Sequence, residues 1–163
     1  MYGAKYVGNI NGGTAPVTKS FLIKASEVIT KGDWITVDGG TGKVDVAAAD
    51  EPLLGVANET VTGNAGGTNK VEIILAMPGT LFIMDNDNTT ETFAQDDVGE
   101  WQAITGTTGA QIIDTNVDSA TPSSSANQLL CLEYNPQGHG LDSDTSIGLY
   151  TPTYTYFTAS YTE

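Results

Sequence analysis

The pattern between Phe21 and Met84 restricts this chain most. It consists of short β-branched and aromatic runs, none at helical spacing, cut at close intervals by glycine. Phe21-Leu22-Ile23 reads as a first strand, and Ala25-Ser26-Glu27-Val28 has room for one helical turn and no more. Trp34-Ile35-Thr36-Val37 has the residue types that fit a pleated surface. Asp38-Gly39-Gly40-Thr41-Gly42 offers positive-φ positions for a hairpin loop, and Lys43-Val44-Asp45-Val46 returns with strand alternation. After a connector from Ala47 to Pro52, Leu53 to Ala57 is short and wholly apolar. Beyond the loop Gly63 to Thr68, Val71, Ile73, Leu75 and Met77 fall on one face of a strand, with Glu72, Ile74 and Ala76 on the other. Pro78-Gly79 suits the centre of a type II turn, leading into the strand Thr80 to Met84.

The second half echoes the first at an offset of 67 residues: Gly32-Asp33-Trp34 against Gly99-Glu100-Trp101, and Gly42 against Gly109. Duplication produces such an echo, and so does recurrent hairpin chemistry. A polar loop, Thr115 to Asn127 with Ser123, Ser124 and Ser125, precedes strands at Leu129 to Tyr134 and Ile147 to Tyr150. The expected fold is all-β, a barrel or sandwich of many short strands with Gly-rich turns. Residues 1–19 read as an N-terminal arm. Residues 20–149 read as a β domain, either single or divided into subdomains 20–84 and 85–149. Residues 150–163 read as a C-terminal arm or an edge strand. The expected core is Ile35, Val37, Val44, Leu54, Val56, Val71, Ile73, Leu75, Leu81, Ile83, Ile112 and Leu130.

Charge narrows the function classes. Residues 1–70 hold all six lysines and seven acids; residues 71–163 hold thirteen acids and no base, and the chain has no arginine. Phosphate contacts rely on Lys and Arg, so nucleic acid is not an expected partner. No apolar run approaches the roughly 20 residues of a membrane helix, and no apolar signal core follows Met1 to Lys5, so a soluble protein outside the usual export route is expected. The acidic half reads either as a solvated face or as the outward side of an assembly whose near-neutral half is docked.

Few residues point to chemistry. Cys131 sits among leucines and reads as a small buried apolar residue. His139, the single histidine, lies in a Gly-His-Gly loop, and no Gly-x-Ser-x-Gly accompanies it. One Cys and one His do not make a zinc site, and the glycine loops lack the Lys-Ser/Thr end of a phosphate cradle. Asp85, Asp87 and Glu91 alternate as in a calcium loop, but the glycine at loop position six is absent and Asp96 stands where a glutamate is wanted; Asp142 with Asp144 is a weaker pair. An acidic turn between strands is the plainer reading. Nothing singles out two carboxylates for glycoside hydrolysis, and Trp34 and Trp101 read as core or sheet-face residues. No catalytic residue, cofactor or firm metal site is expected. The candidates for protein contact are the aromatic ends: Tyr2 and Tyr6 at one, Tyr150, Tyr154, Tyr156 and Phe157 at the other, with Tyr161 beyond.

The run Val28 to Asp38, followed by Gly42-Lys43-Val44 and by Asp50-Glu51-Pro52-Leu53-Leu54-Gly55-Val56-Ala57, resembles the small β domain of tailed-phage capsid decoration (cement) proteins. In those, a Gly-Asp-x-Val/Ile strand, a turn, a Gly-x-Val strand and a Pro-aliphatic-aliphatic-Gly-Val-Ala strand come in that order. An alternating strand and a glycine turn follow, here Val71 to Met77 and Gly79. Asp97 to Trp101, Gly109 to Asp114 and Leu130 to Glu133 are similar to head-decoration sequences as well, so the resemblance covers about residues 20–135. It implies a non-enzymatic virion protein on the outer surface of the capsid. Its implied partners are the major capsid protein and itself, as a homotrimer bracing neighbouring capsomers. The tail after Tyr150 is not part of that pattern. Two other readings stand beside it: a different virion module (tail, fibre or adhesin), and a carbohydrate-binding β-sandwich.

Overall fold

The computed structural model describes residues 3–87, 93–119, 128–136 and 147–157, without the side chains of 115–119. Among these residues there are thirteen strands, one 3-10 turn at Gln95–Asp97 and no α-helix. The strands are β1 Lys5–Asn9, β2 Thr18–Leu22, β3 Val28–Ile29, β4 Trp34–Val37, β5 Val44–Val46, β6 Gly55–Ala57, β7 Val61–Thr62, β8 Lys70–Leu75, β9 Thr80–Asp87, β10 Trp101–Thr105, β11 Ile112–Ser119, β12 Leu129–Tyr134 and β13 Ile147–Pro152.

They build two five-stranded barrels of the same topology. In the first, neighbours run β2-β8-β6-β4-β5, all antiparallel. The gap between β5 and β2 is closed by a parallel bridge of Ile23 to Val44, with the Lys24 N–H donating to Val44 O at 3.0 Å. In the second, neighbours run β9-β13-β12-β10-β11, again antiparallel. Here a parallel pairing of β11 with β9 closes the ring, Ile113 beside Asn86 and Asp114 beside Asp87. Matched in chain order, β2, β4, β5, β6 and β8 correspond to β9, β10, β11, β12 and β13. β3 and β7 pair only with each other, as an excursion from the first barrel. β1 lies outside the second barrel, antiparallel to β9.

The sequence echo marks the same place in each barrel. Gly32 and Gly99 stand at φ +94° and +95°, left-handed values that favour glycine. The Gly32 N–H donates to Ala57 O and the Ala57 N–H returns to Asp33 O; Gly99 and Cys131, and Cys131 and Glu100, do the same, each at 2.9 Å. Trp34 then pairs with Val56 and Ile35 with Gly55, as Trp101 pairs with Leu130 and Gln102 with Leu129. At Gly55 the backbones crowd: a Cβ would stand 2.1 Å from Ile74 O, so only glycine fits.

Strand alternation in the first barrel serves two cores. Ile23, Ile35, Val44, Leu54, Val71, Ile73 and Leu75 face inward and form one cluster. Trp34, Leu53, Val56, Ile74 and Ala76 face out, and the second barrel covers them with Phe82, Met84, Ile104, Ile113, Leu129, Cys131 and Tyr150. The joint therefore belongs to the larger cluster, and the two barrels share it.

Several expectations change. The division expected between residues 84 and 85 falls inside β9, whose eight residues all belong to the second barrel's sheet; the chain crosses over at Pro78-Gly79, with Gly79 at φ +83° and Thr80 N–H on Met77 O. Residues 5–9 are not a free arm: Tyr6 stands opposite Phe82 and packs edge-on against its ring at 5.9 Å. Ala25-Ser26 is a turn with Ser26 at φ +63°, not a helical turn. In the 38–42 loop only Gly42 takes a positive φ; the Asp38 carboxylate holds the rest, accepting from Gly40 N–H and Thr41 Oγ1.

Candidate interaction surface

The joint between the barrels is built from buried polar side chains as well as apolar ones. Asp33, fully buried, accepts the N–H of Thr30 through Oδ2 at 2.8 Å and of Gly109, across the joint, through Oδ1 at 2.7 Å. Burial raises its carboxyl above the ordinary value, and these two N–H groups pull it back in part. Gln111 accepts Trp34 N–H at 2.6 Å and donates to Ala47 O at 2.6 Å. Gln128 accepts Ile104 N–H and donates to Ala48 O at 3.0 Å and Glu51 O at 2.7 Å. All three reach from one barrel to the other with their capacity largely used, so the two barrels are held as one body. The two glutamines carry no periodic pattern and the sequence gives no sign of them, while Asp33 shows there only as a member of the glycine-tryptophan echo.

The aromatic ends belong largely to this joint. Tyr150 is fully buried in β13 between β12 and β9, its hydroxyl on Asn86 Oδ1, and this corrects its assignment as a contact residue on an arm. Beyond β13 the chain crosses back to the first barrel: Leu53 N–H donates to Tyr154 O at 2.9 Å, and Thr155 bridges Leu53. The Tyr156 hydroxyl lies 3.2 Å from Val37 N and 3.1 Å from Val37 O, at the open end of β4. Tyr154 is half-buried, while the flanks of Tyr156 and Phe157 stay exposed, at 40% and 41%. Tyr6 is half-buried against Phe82. Tyr2 and Tyr161 lie outside the described residues.

The chemical candidates separate. Asp85 and Asp87 lie on β9, paired beside Ile147 and Asp114, rather than in a loop, and Glu91 lies outside the described residues. Among the described residues no three His, Cys, Asp or Glu groups are placed to hold a metal. His139, Asp142 and Asp144 also lie outside them. Burial pushes the Cys131 thiol up to about 12, so it is no nucleophile at neutral pH. Trp34 is sealed in the joint, its ring 4.9 Å from Phe82 and its Nε1 on Met84 Sδ at 3.2 Å, and cannot offer a sugar a platform; Trp101 is half-buried.

What the described surface offers is apolar edges and one strongly signed charge. Ile10 is 62% exposed and Val17 55%; with Met77 and Pro78 they line a groove of about 410 Å³ at the crossover between barrels. Leu22 and Val28 are also exposed on the first barrel. Residues 1–79 carry six lysines and eight acids, a formal −2, whereas residues 80–163 carry twelve acids and no base, −12. No protein-family model matches this chain, and no curated protein matches it.

Proposed function

We propose that this chain is a capsid decoration protein: it binds the outer surface of an assembled phage head and braces neighbouring capsomers, without catalysis. The observation that carries this reading is the partition of charge between two barrels locked into one body. The first barrel, near-neutral and bearing the exposed Ile10, Val17, Leu22 and Val28, is the docking side. The second, built from the half of the chain that holds twelve acids and no base, faces outward and keeps decorated heads apart. The resemblance of Gly32 to Ala57 to cement domains supports the same reading, and so does a β body whose rigidity loses little entropy on docking. Self-association into a trimer fits a lattice with local three-fold positions. A protein that binds only the assembled lattice stabilises it by mass action.

The test is co-sedimentation with expanded, undecorated heads. The protein is expected to pellet with heads, not with free capsid subunits, and to raise the temperature at which heads break open. Val17→Glu, on an exposed side chain, is expected to abolish pelleting without loss of the β fold. Truncation probes must begin after Phe157, because removing β13 would open the second barrel. Failure to pellet with any head would sink the proposal.

A further inference from the structure

A cavity of about 520 Å³ lies between the outer edge of β1 and the flank of the first barrel, with Ala4, Val56, Ala57 and Ile74 as its apolar lining. Among the described residues, β1 pairs on one side only, with β9. The Ala4 N–H turns away from β9 to Gly32 O, at 2.7 Å. Backbone groups alternate in direction along a strand, so the N–H and C=O of Tyr6, two residues on, also point away from β9 and toward the cavity. Within the described residues they have no partner there. The charged side chains that line the cavity are Lys5 and Lys31, and neither has an ion-pair partner among the described residues.

We propose that this edge accepts an extended acidic segment of a partner protein as an added strand. Main-chain bonds to Tyr6 would give the affinity, and the pockets beside them the choice of sequence. Residues 5–8 offer about 13 Å of edge, room for roughly four residues of a strand. Alternate side chains of that segment enter the cavity, where Ile74 keeps 8% of its surface open, and its carboxylates meet Lys5 and Lys31. This is why the occupant is acidic although the chain as a whole carries −14: Lys5 and Lys31 are the charges that line the cavity. The nearby Glu72 carboxylate is engaged by Asn58 and Thr18, and Glu59 by the Glu72 N–H, and the acids of the second barrel are screened beyond about 10 Å in salt. The inference stands on the cavity and holds whether or not the partner belongs to a viral shell.

The probe is a fluorescein-labelled hexapeptide of alternating valine and glutamate, titrated into the full chain and read by anisotropy, beside its valine–lysine counterpart. The glutamate peptide is expected to bind and the lysine peptide not. Hydrogen exchange at the Tyr6 amide is expected to slow at saturation. Lys5→Glu with Lys31→Glu is expected to weaken binding about tenfold, while Lys70→Glu, an exposed charge reversal away from the cavity, leaves it unchanged. The proposal is overturned by absence of binding at millimolar peptide, by equal binding of the lysine peptide, by unchanged Tyr6 exchange, or by an equal loss in Lys70→Glu.

Discussion

The two barrels share a topology and a glycine-tryptophan turn, yet almost nothing else. The first has an inward cluster of aliphatic side chains and an outward face that is also apolar. The second has aromatic, sulfur and amide groups in its interior: Phe82, Met84, Cys131, Tyr150 and Gln102. Lys19, Lys24, Lys31, Lys43 and Lys70 belong to the first, and Lys5 lies on β1, along the second. One backbone plan thus serves two tasks, since a five-stranded ring constrains only where the inward positions lie. The side chains decide which barrel has an aliphatic interior and which half of the chain carries the charge.

The paired tryptophans break this comparison most sharply. Trp34 and Trp101 hold the same register against β6 and β12. Trp34 is fully buried under Phe82 and Met84, whereas Trp101 is half-buried. Trp34→Ala is expected to cost about 3–5 kcal/mol and to loosen the joint, so that the barrels no longer melt together. Trp101→Ala is expected to cost about 1 kcal/mol, the central value for a point mutant. Urea unfolding of both variants, followed by tryptophan fluorescence and by circular dichroism, checks this. Equal losses would mean the joint contributes little beyond each barrel's own packing.

Asp33 comes next, as a joint residue with a pH signature. Asp33→Asn keeps one acceptor and loses the other, leaving a buried N–H of Thr30 or Gly109 unmatched at about 1–3 kcal/mol. Burial raises the native carboxyl above its ordinary value of 3.8, so the folded state holds this proton to higher pH than the unfolded chain does. The part of stability due to Asp33 is therefore complete below the unfolded value and declines as pH rises through the raised native one. The advantage of wild type over Asp33→Asn, read as a urea midpoint from about pH 3 to pH 7, is expected to shrink as pH increases. An advantage that grows with pH would mean the two N–H bonds outweigh burial.

How much of this was visible in the sequence follows from the same two faces. In β8, inward Val71, Ile73 and Leu75 alternate with Glu72, so the phase could be read and the structure shows it. In β9 and β12 the apolar runs 81–84 and 129–132 are continuous, and in β11 only the adjacent Ile112 and Ile113 precede polar residues, so none of the three has a readable phase. Leu81, Ile112 and Leu130, expected inside, are half-buried, as is Val37; their neighbours Phe82, Ile113, Leu129 and Cys131 hold the core. A one-residue slip moves a side chain to the other face. The terminal segments misled for another reason. Tyr-Thr alternation is the same for an arm on a partner and a strand on the chain's own sheet, and only the covering of Tyr150 by β9 and β12 decides. Asp33 showed in the sequence only as part of the glycine-tryptophan echo, and Gln111 and Gln128 as no pattern at all. The role of all three across the joint was hidden because their partners there are backbone groups 64 to 80 residues away.

Gln102 sharpens the comparison in the opposite direction, as a gain. Its counterpart in the first barrel is Ile35; both are fully buried. Both polar atoms of the Gln102 side chain lack a partner among the described residues. An unmatched buried amide costs about 1–3 kcal/mol, and isoleucine fills similar volume. Gln102→Ile is expected to raise stability by about 1 kcal/mol and so make the second barrel's interior resemble the first's. A lower melting temperature would show that the amide is already satisfied in solution, by a trapped water.

The smallest effect is expected at Cys131, which occupies the place of Ala57 in the paired turn: each donates its N–H to the residue before tryptophan and accepts the glycine N–H. Because alanine fills the same backbone role in the first barrel, Cys131→Ala is expected to cost about 1 kcal/mol or less. Reactivity is the finer probe. Burial holds the thiol at about 12, so thiolate is scarce at pH 8 and iodoacetamide reaches it only when the second barrel opens. If the barrels unfold as one body through Asp33, Gln111 and Gln128, the labelling rate should follow global unfolding and rise in step with loss of Trp34 fluorescence in urea. Labelling that runs ahead of that signal would mean the second barrel opens while the first stays closed, and the joint would then be a hinge between independent units.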